Sequence, residues 1–102
     1  MKRIERTEIL VCYDVNTLHE DGKRRLRRVA KICERYGQRG QFSVFECSVS
    51  ATLLFEMRDK LIDVMDPMED SLRIYTLHGT RNSFLFSIGR DSWVDFHDPL
   101  VI

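Results

Sequence analysis

The chain has 102 residues, 43% apolar and 31% charged, with sixteen lysines and arginines balanced by sixteen acids. That length supplies one domain with a real core and no room for a second folded unit, and the mixture excludes the disordered and membrane-embedded classes. The N-terminus Met-Lys-Arg-Ile-Glu-Arg lacks a signal peptide's apolar stretch, and nowhere do about 18 consecutive apolar residues occur, so a cytoplasmic protein without membrane contact is expected.

The first element is a strand over 8–14, where the continuous run Ile9-Leu10-Val11-Cys12-Tyr13 fits burial on both faces and ends on Asp14. A polar loop over 15–21 follows, with Asp21 or Gly22 a plausible start for the next element. From Lys23 to Tyr36 the apolar residues Leu26, Val29, Ala30 and Cys33 recur at helical spacing, and Gly37 supplies a stop. At 100° per residue Arg24, Arg27, Arg28, Lys31 and Arg35 then share one outward arc of roughly 100°.

Residues 39–49 are rich in aromatic and β-branched types and read as strand, either one bent strand or a tight hairpin, since no Asn-Gly or Asp-Gly marks a turn. Ser50 is a good N-cap for a second helix carrying Leu54, Met57, Leu61, Val64 and Met65, which ends at Asp66-Pro67. Residues 71–78 alternate as a strand, with Leu72, Ile74 and Thr76 on one side. Beyond them Trp93, Val94, Phe96 and Leu100-Val101-Ile102 are costly to leave in water, so the tail is expected to dock as a further strand, on its own sheet or a partner's edge.

This order gives an α+β class of ferredoxin-like type, βαββαβ, with two helices on one face of an antiparallel sheet and a C-terminal strand in addition. Residues 1–78 form the domain and 79–102 a strand or tail that contacts a partner subunit. The uncovered sheet face predicts a homodimer packed face to face.

Charge is polarised although its sum is zero. Residues 21–40 hold eight cations against two acids, a local charge of +6, whereas residues 51–80 hold three against six, or −3. A polyanion partner is the reading favoured for the cationic helix; plain solvation with i,i+3 and i,i+4 pairing is the alternative. The cysteines Cys12, Cys33 and Cys47 have no paired spacing and read as buried reduced thiols, and His19, His78 and His97 have no metal-ligand spacing.

Tyr13-Asp14-Val15 closing the first strand, the Arg-rich helix ending at Tyr36-Gly37, the block Gln41-Phe42-Ser43-Val44-Phe45-Glu46-Cys47, and Asp70-Ser71-Leu72-Arg73-Ile74-Tyr75 together resemble the second CRISPR-associated protein, the small subunit of the spacer-acquisition machinery. The likeness runs across roughly the first 78 residues and fades after His78. It implies a ferredoxin-like homodimer, metal-dependent phosphodiesterase activity on RNA or double-stranded DNA, and a partnership with the CRISPR integrase. It also implies that Asp14 is the metal ligand and that Tyr13, Arg28, Arg39 and Phe45 stand around a catalytic site. Gly40 departs from the family, which more often has an aliphatic residue there.

Mg²⁺, or Mn²⁺ in its place, is a hard cation that keeps several waters and needs only one or two carboxylates plus substrate phosphate, so one Asp14 per chain suffices if two chains share the ion. From spacing alone the favoured reading is that Asp14 hydrogen-bonds the amides of its own loop, and it is the resemblance that reverses this preference. The nuclease is one function class. A non-catalytic dimer that lays nucleic acid across Arg24, Arg27, Arg28, Lys31 and Arg35 is a second, and an unrelated RNA-recognition domain is a third, although Gln41 and Ser43 depart from its aromatic signature.

Overall fold

A computed structural model describes residues 5–78. Its elements run β1 (Thr7–Asp14), α1 (Glu20–Glu34), β2 (Gly37–Gln41), β3 (Val44–Val49), α2 (Ala51–Val64) and β4 (Ser71–Leu77). The four strands form one sheet in the order β2-β3-β1-β4, all pairs antiparallel. This is the α+β, βαββαβ arrangement expected from the sequence, with β1 and β3 central. The expected C-terminal strand lies outside the described residues. No helix among the described residues is long and apolar enough to cross a membrane.

Alternation with period two decides which side of each strand is buried. Ile9, Val11 and Tyr13 of β1 and Phe45, Cys47 and Val49 of β3 point to one face, where they meet Val29 and Cys33 of α1 and Met57 and Leu61 of α2. Leu72 and Ile74 of β4 pack at the margin of this core. The opposite face carries Leu10, Cys12, Val44 and Glu46, all half-buried. The expectation that β1 is buried on both faces is therefore corrected for the described residues, which bury one face and leave the other half-buried. Cys12 is half-buried, while Cys33 and Cys47 are buried, and burial pushes both of those thiols up to about 12.

Residues 37–49 resolve as a hairpin. Phe42 and Ser43 make a two-residue turn between Gln41 and Val44, and the register shifts between Arg39 and Gln41, a bulge that takes in Gly40. The turn lacks Asn-Gly, so its position is set by the strands on either side. Ser50 caps α2 as expected, its Oγ accepting from the Leu53 N–H at 3.3 Å.

Helix α1 begins three residues before Lys23, with Glu20 and Asp21 in its first turn, where the positive end of the helix dipole favours acids. Two glycines act through close approach. A Cβ on Gly22 would overlap the carbonyl oxygen of Asn16, because the first turn of α1 lies directly on the loop leaving β1. A Cβ on Gly37 would overlap the Glu46 carbonyl and the Cys47 sulfur, and its φ lies outside the left-handed region. Gly37 is thus the first residue of β2 and not a left-handed helix stop, which corrects the sequence reading.

Gly22→Ala tests the contact with the loop. Alanine is the better helix former, so an exposed glycine would gain from the change; here overpacking against backbone should lower stability by about 1–3 kcal/mol. A urea-unfolding midpoint equal to or above the parent's would show that the loop yields.

Candidate active site

Asp14 is the last residue of the central strand β1 and is solvent-exposed. It lies between two structures that fix its backbone. On the β3 side, the N–H of Tyr13 donates to the Ser43 carbonyl at 3.1 Å, and the Tyr13 phenol donates to the Phe42 carbonyl at 3.5 Å. On the β4 side, Asp14 pairs in register with Ser71, the residue after Asp70.

Asp70 is the centre of the second structure. Its side chain is fully buried. Arg25 donates to it twice, from Nε at 2.9 Å and Nη2 at 3.2 Å, and the backbone N–H groups of Asn16 at 3.2 Å and Asp66 at 2.9 Å complete the set. Burial pushes this carboxyl up, but the hydrogen bonds from Arg25, Asp66 and Asn16, with the Arg25 charge, outweigh it and hold Asp70 below the usual carboxylate range. The Asn16 side chain adds a bond to Glu69 at 2.7 Å. The loop that follows Asp14 is thereby tied to helix α1 and to the turn before β4.

The carboxylate of Asp14 itself makes no hydrogen bond or ion pair among the described residues. The alternative in which it is consumed by its own loop amides is not what is seen: the loop's N–H at Asn16 goes to Asp70, and that at Leu18 to the Asn16 side chain at 3.0 Å. An exposed, unspent carboxylate on a fixed backbone fits one ligand position of a hard divalent cation. No group of three or more His, Cys, Asp or Glu side chains that could hold a metal occurs among the described residues.

Asp14 lines a cleft of about 420 Å³ together with Tyr13, Thr17, Arg27, Arg39, Phe42 and Ser43. Of the residues placed around the site by resemblance, the structure brings Tyr13, Asp14 and Arg39 together. Arg28 lies on the exposed face of α1 outside this lining, and its neighbour Arg27 occupies the cleft instead.

Phe45 is fully buried, so the expectation that it stands at the chemistry is corrected. Its ring stacks on Tyr13 with centroids 6.2 Å apart and carries the Arg39 guanidinium at 5.2 Å, which makes it a support beneath two cleft residues. Tyr13 is itself almost wholly buried; burial first, and the neighbouring Cys33 second, raise its phenol above the usual tyrosine value. Because Phe45 faces the helices, the central strand β3 offers no aromatic to the open sheet face, where Tyr75 of β4 is the exposed aromatic among the described residues.

The cationic stripe of α1 is as exposed as its periodicity predicts: Arg24, Arg27, Arg28, Lys31 and Arg35 are all on the surface. Arg24 is paired with Asp21, while Arg27, Arg28 and Lys31 make no ion pair among the described residues. Arg35 acts on Glu56 only through space.

Comparisons with known proteins bear on the family and the fold. A profile of the family described as CRISPR associated protein Cas2 matches residues 7–83. A protein of Moorella thermoacetica named CRISPR-associated endoribonuclease Cas2 1 is 44% identical over 94 residues, covering 92% of this chain and 98% of its own. A protein of Halalkalibacterium halodurans named CRISPR-associated endonuclease Cas2 is 44% identical over 93 residues, covering 91% and 97%. The crystal structure of Streptococcus pyogenes Cas2 at pH 6.5 superposes with a TM-score of 0.73 at 43% identity, over 80% of this chain and 99% of that one.

The Asp70 cluster predicts a pH dependence. Its folded-state carboxyl is depressed, so its contribution to stability is complete above the unfolded value, near pH 4, and is lost as pH falls through the folded value. Asp70→Asn should therefore lower the thermal midpoint at neutral pH and flatten its decline between about pH 4 and pH 2. Parallel melting curves for the parent and the variant across that window would remove Asp70 from its central position.

Proposed function

The chain belongs to the CRISPR-associated Cas2 family, and we propose that it is a metal-dependent endonuclease acting on RNA or double-stranded DNA, with Asp14 as the metal ligand. The observation that carries this reading is the exposed Asp14 carboxylate, unpaired among the described residues, at the mouth of a cleft that also holds Arg27 and Arg39. Its relatives' names, endoribonuclease and endonuclease, support internal cleavage of a polynucleotide, and the first of them names RNA.

Bound at Asp14, Mg²⁺ or Mn²⁺ supplies Lewis-acid polarisation of a phosphoryl oxygen and acidification of water. The chain's own residues hold the substrate. Arg27 and Arg39 line the cleft within reach of a phosphodiester, Arg39 being oriented by the Phe45 ring beneath it and by Glu34 at 3.6 Å. Tyr13 fixes the turn at Phe42 and Ser43 by two donated bonds. A second copy packed on the half-buried sheet face would bring a second Asp14 to complete the coordination, so the homodimer is the proposed catalytic unit.

The α1 stripe favours a second reading that coexists with the first: a dimer that lays nucleic acid across Arg27, Arg28, Lys31 and Arg35 and serves spacer acquisition beside the CRISPR integrase without cutting. The two readings separate at Asp14. Asp14→Asn should reduce Mg²⁺-dependent cleavage by about 100-fold or more while leaving binding in chelator unchanged; cleavage that survives the change removes the nuclease reading. Arg28→Ala or Lys31→Ala should instead flatten the log affinity against log salt line for duplex DNA by about 0.9 for each phosphate no longer neutralised, and an unchanged slope would take the helix out of the interface.

A further inference from the structure

The Asp70 cluster holds Asn16, two residues after Asp14, and leaves the Asp14 carboxylate untouched. The N–H of Asn16 donates to Asp70 Oδ1 at 3.2 Å, its side-chain amide donates to Glu69 at 2.7 Å, and its Oδ1 accepts from the Leu18 N–H at 3.0 Å. Its carbonyl oxygen lies where a Cβ on Gly22 would stand, so the first turn of α1 rests directly on it. Only Val15 stands between Asn16 and Asp14, and Val15 is buried in the core.

These contacts close a small ring around the site. Asp14 and Ser71 are register partners across β1 and β4, Ser71 follows Asp70, and Asp70 accepts from Asn16. The ring is shut by strand pairing on one side and by a hydrogen bond to a carboxylate on the other. A side chain's allowed rotamers follow from the backbone that bears it, and a ring this small leaves the backbone at Asp14 few alternatives. Asp70 could not close it unaided, because a buried carboxylate needs its charge and its lone pairs met; Arg25 of α1 and the Asp66 N–H supply both. With its side chain fully buried, Asp70 is no ligand for an ion arriving from solvent.

We propose that Asp70 is a positioning residue for the metal: the Arg25–Asp70 pair sets the direction of the Asp14 carboxylate through the Asn16 backbone, and with it the affinity of the site for a divalent cation. The inference rests on the reading of Asp14 as the metal ligand and adds the residues that orient it.

The test is Mn²⁺ binding to the full chain at neutral pH, followed by loss of the free-ion electron paramagnetic resonance signal, with thermal melting of the same samples. Asp14→Asn sets the background without the ligand. Asp70→Asn should weaken Mn²⁺ binding by about tenfold, the lower end of what is lost when a group orienting a metal ligand is removed. Arg25→Met combined with Asp70→Asn leaves the local charge sum as in the parent and should weaken binding as much. Ser50→Ala is the stability control, since it removes the α2 cap beyond Val49, which pairs with Thr7 at the opposite end of β1 from Asp14. It should lower the melting midpoint and leave Mn²⁺ binding at the parent's value. Should Asp70→Asn not fold, Asn16→Ala, which loses the bonds to Glu69 and Leu18, should show a smaller loss in the same direction. Parent-like Mn²⁺ binding by the folded variant overturns the proposal. So does recovery of binding in the double variant, because charge and not direction would then be at work, and so does an equal loss in Ser50→Ala. If Asp14→Asn binds Mn²⁺ as the parent does, the metal-ligand reading fails and this inference with it; a loss in Asp14→Asn with none in Asp70→Asn fails this inference alone.

Discussion

The carboxylate of Asp70 is where three segments distant in sequence are held together: helix α1 through Arg25, the loop after β1 through Asn16, and the turn before β4 through Asp66. A fully buried carboxylate is destabilising unless its lone pairs are satisfied, and four donated bonds from three residues do so here. The consequence is geometric as much as energetic. Asn16 lies two residues after Asp14 and Ser71, opposite Asp14 in the sheet, is the residue after Asp70, so one charged cluster sets both the loop leaving the site and the strand beside it.

The opposite flank of Asp14 is fixed differently, by neutral bonds from Tyr13 to two consecutive carbonyls of the hairpin turn, with the Tyr13 ring stacked on Phe45 in the core. Backbone rigidity on both sides is combined with a side chain left unspent among the described residues. That combination sets Asp14 apart from the carboxylates that serve the fold: Asp66 and Asp70 spend their oxygens on backbone N–H groups, and Asp14 does not. Preorganisation of this kind leaves little ordering cost to be met when a ligand arrives.

Local periodicity made most of the fold legible. The continuous apolar run of β1, period two in β4 and the helical spacing of Leu26, Val29 and Cys33 were sufficient, as was the Ser50 cap before Leu54 and Met57, because each signal lies within one element. Features that depend on two distant segments were not legible. The Arg25–Asp70 bond spans 45 residues, and its one sequence trace is that Arg25 falls off the arc shared by the other arginines of α1. Gly37 resembled a helix stop because its close contact, with Cys47, lies across a hairpin whose turn has no marker residues. Phe45 could have been read correctly from phase alone, since it alternates with Cys47 on the core side; resemblance placed it at the chemistry because it supports Tyr13 and Arg39, which do line the cleft.

The charge count of the Arg-rich segment needs the structure to become a surface. Of its eight cations, Lys23 and Arg24 are paired within the first turns of α1, Arg25 is taken up by Asp70, and Arg39 faces Glu34. What stays outside ion pairs on α1, among the described residues, is a shorter stripe, Arg27, Arg28 and Lys31 with Arg35 beyond. Over a screening length of about 8 Å at physiological salt, that stripe acts on its own surroundings and the balancing acids elsewhere in the chain do not cancel it. Arg27 belongs to the stripe and to the Asp14 cleft at once. The stripe and the cleft are therefore one continuous surface, and removing the Arg27 charge would alter both at once.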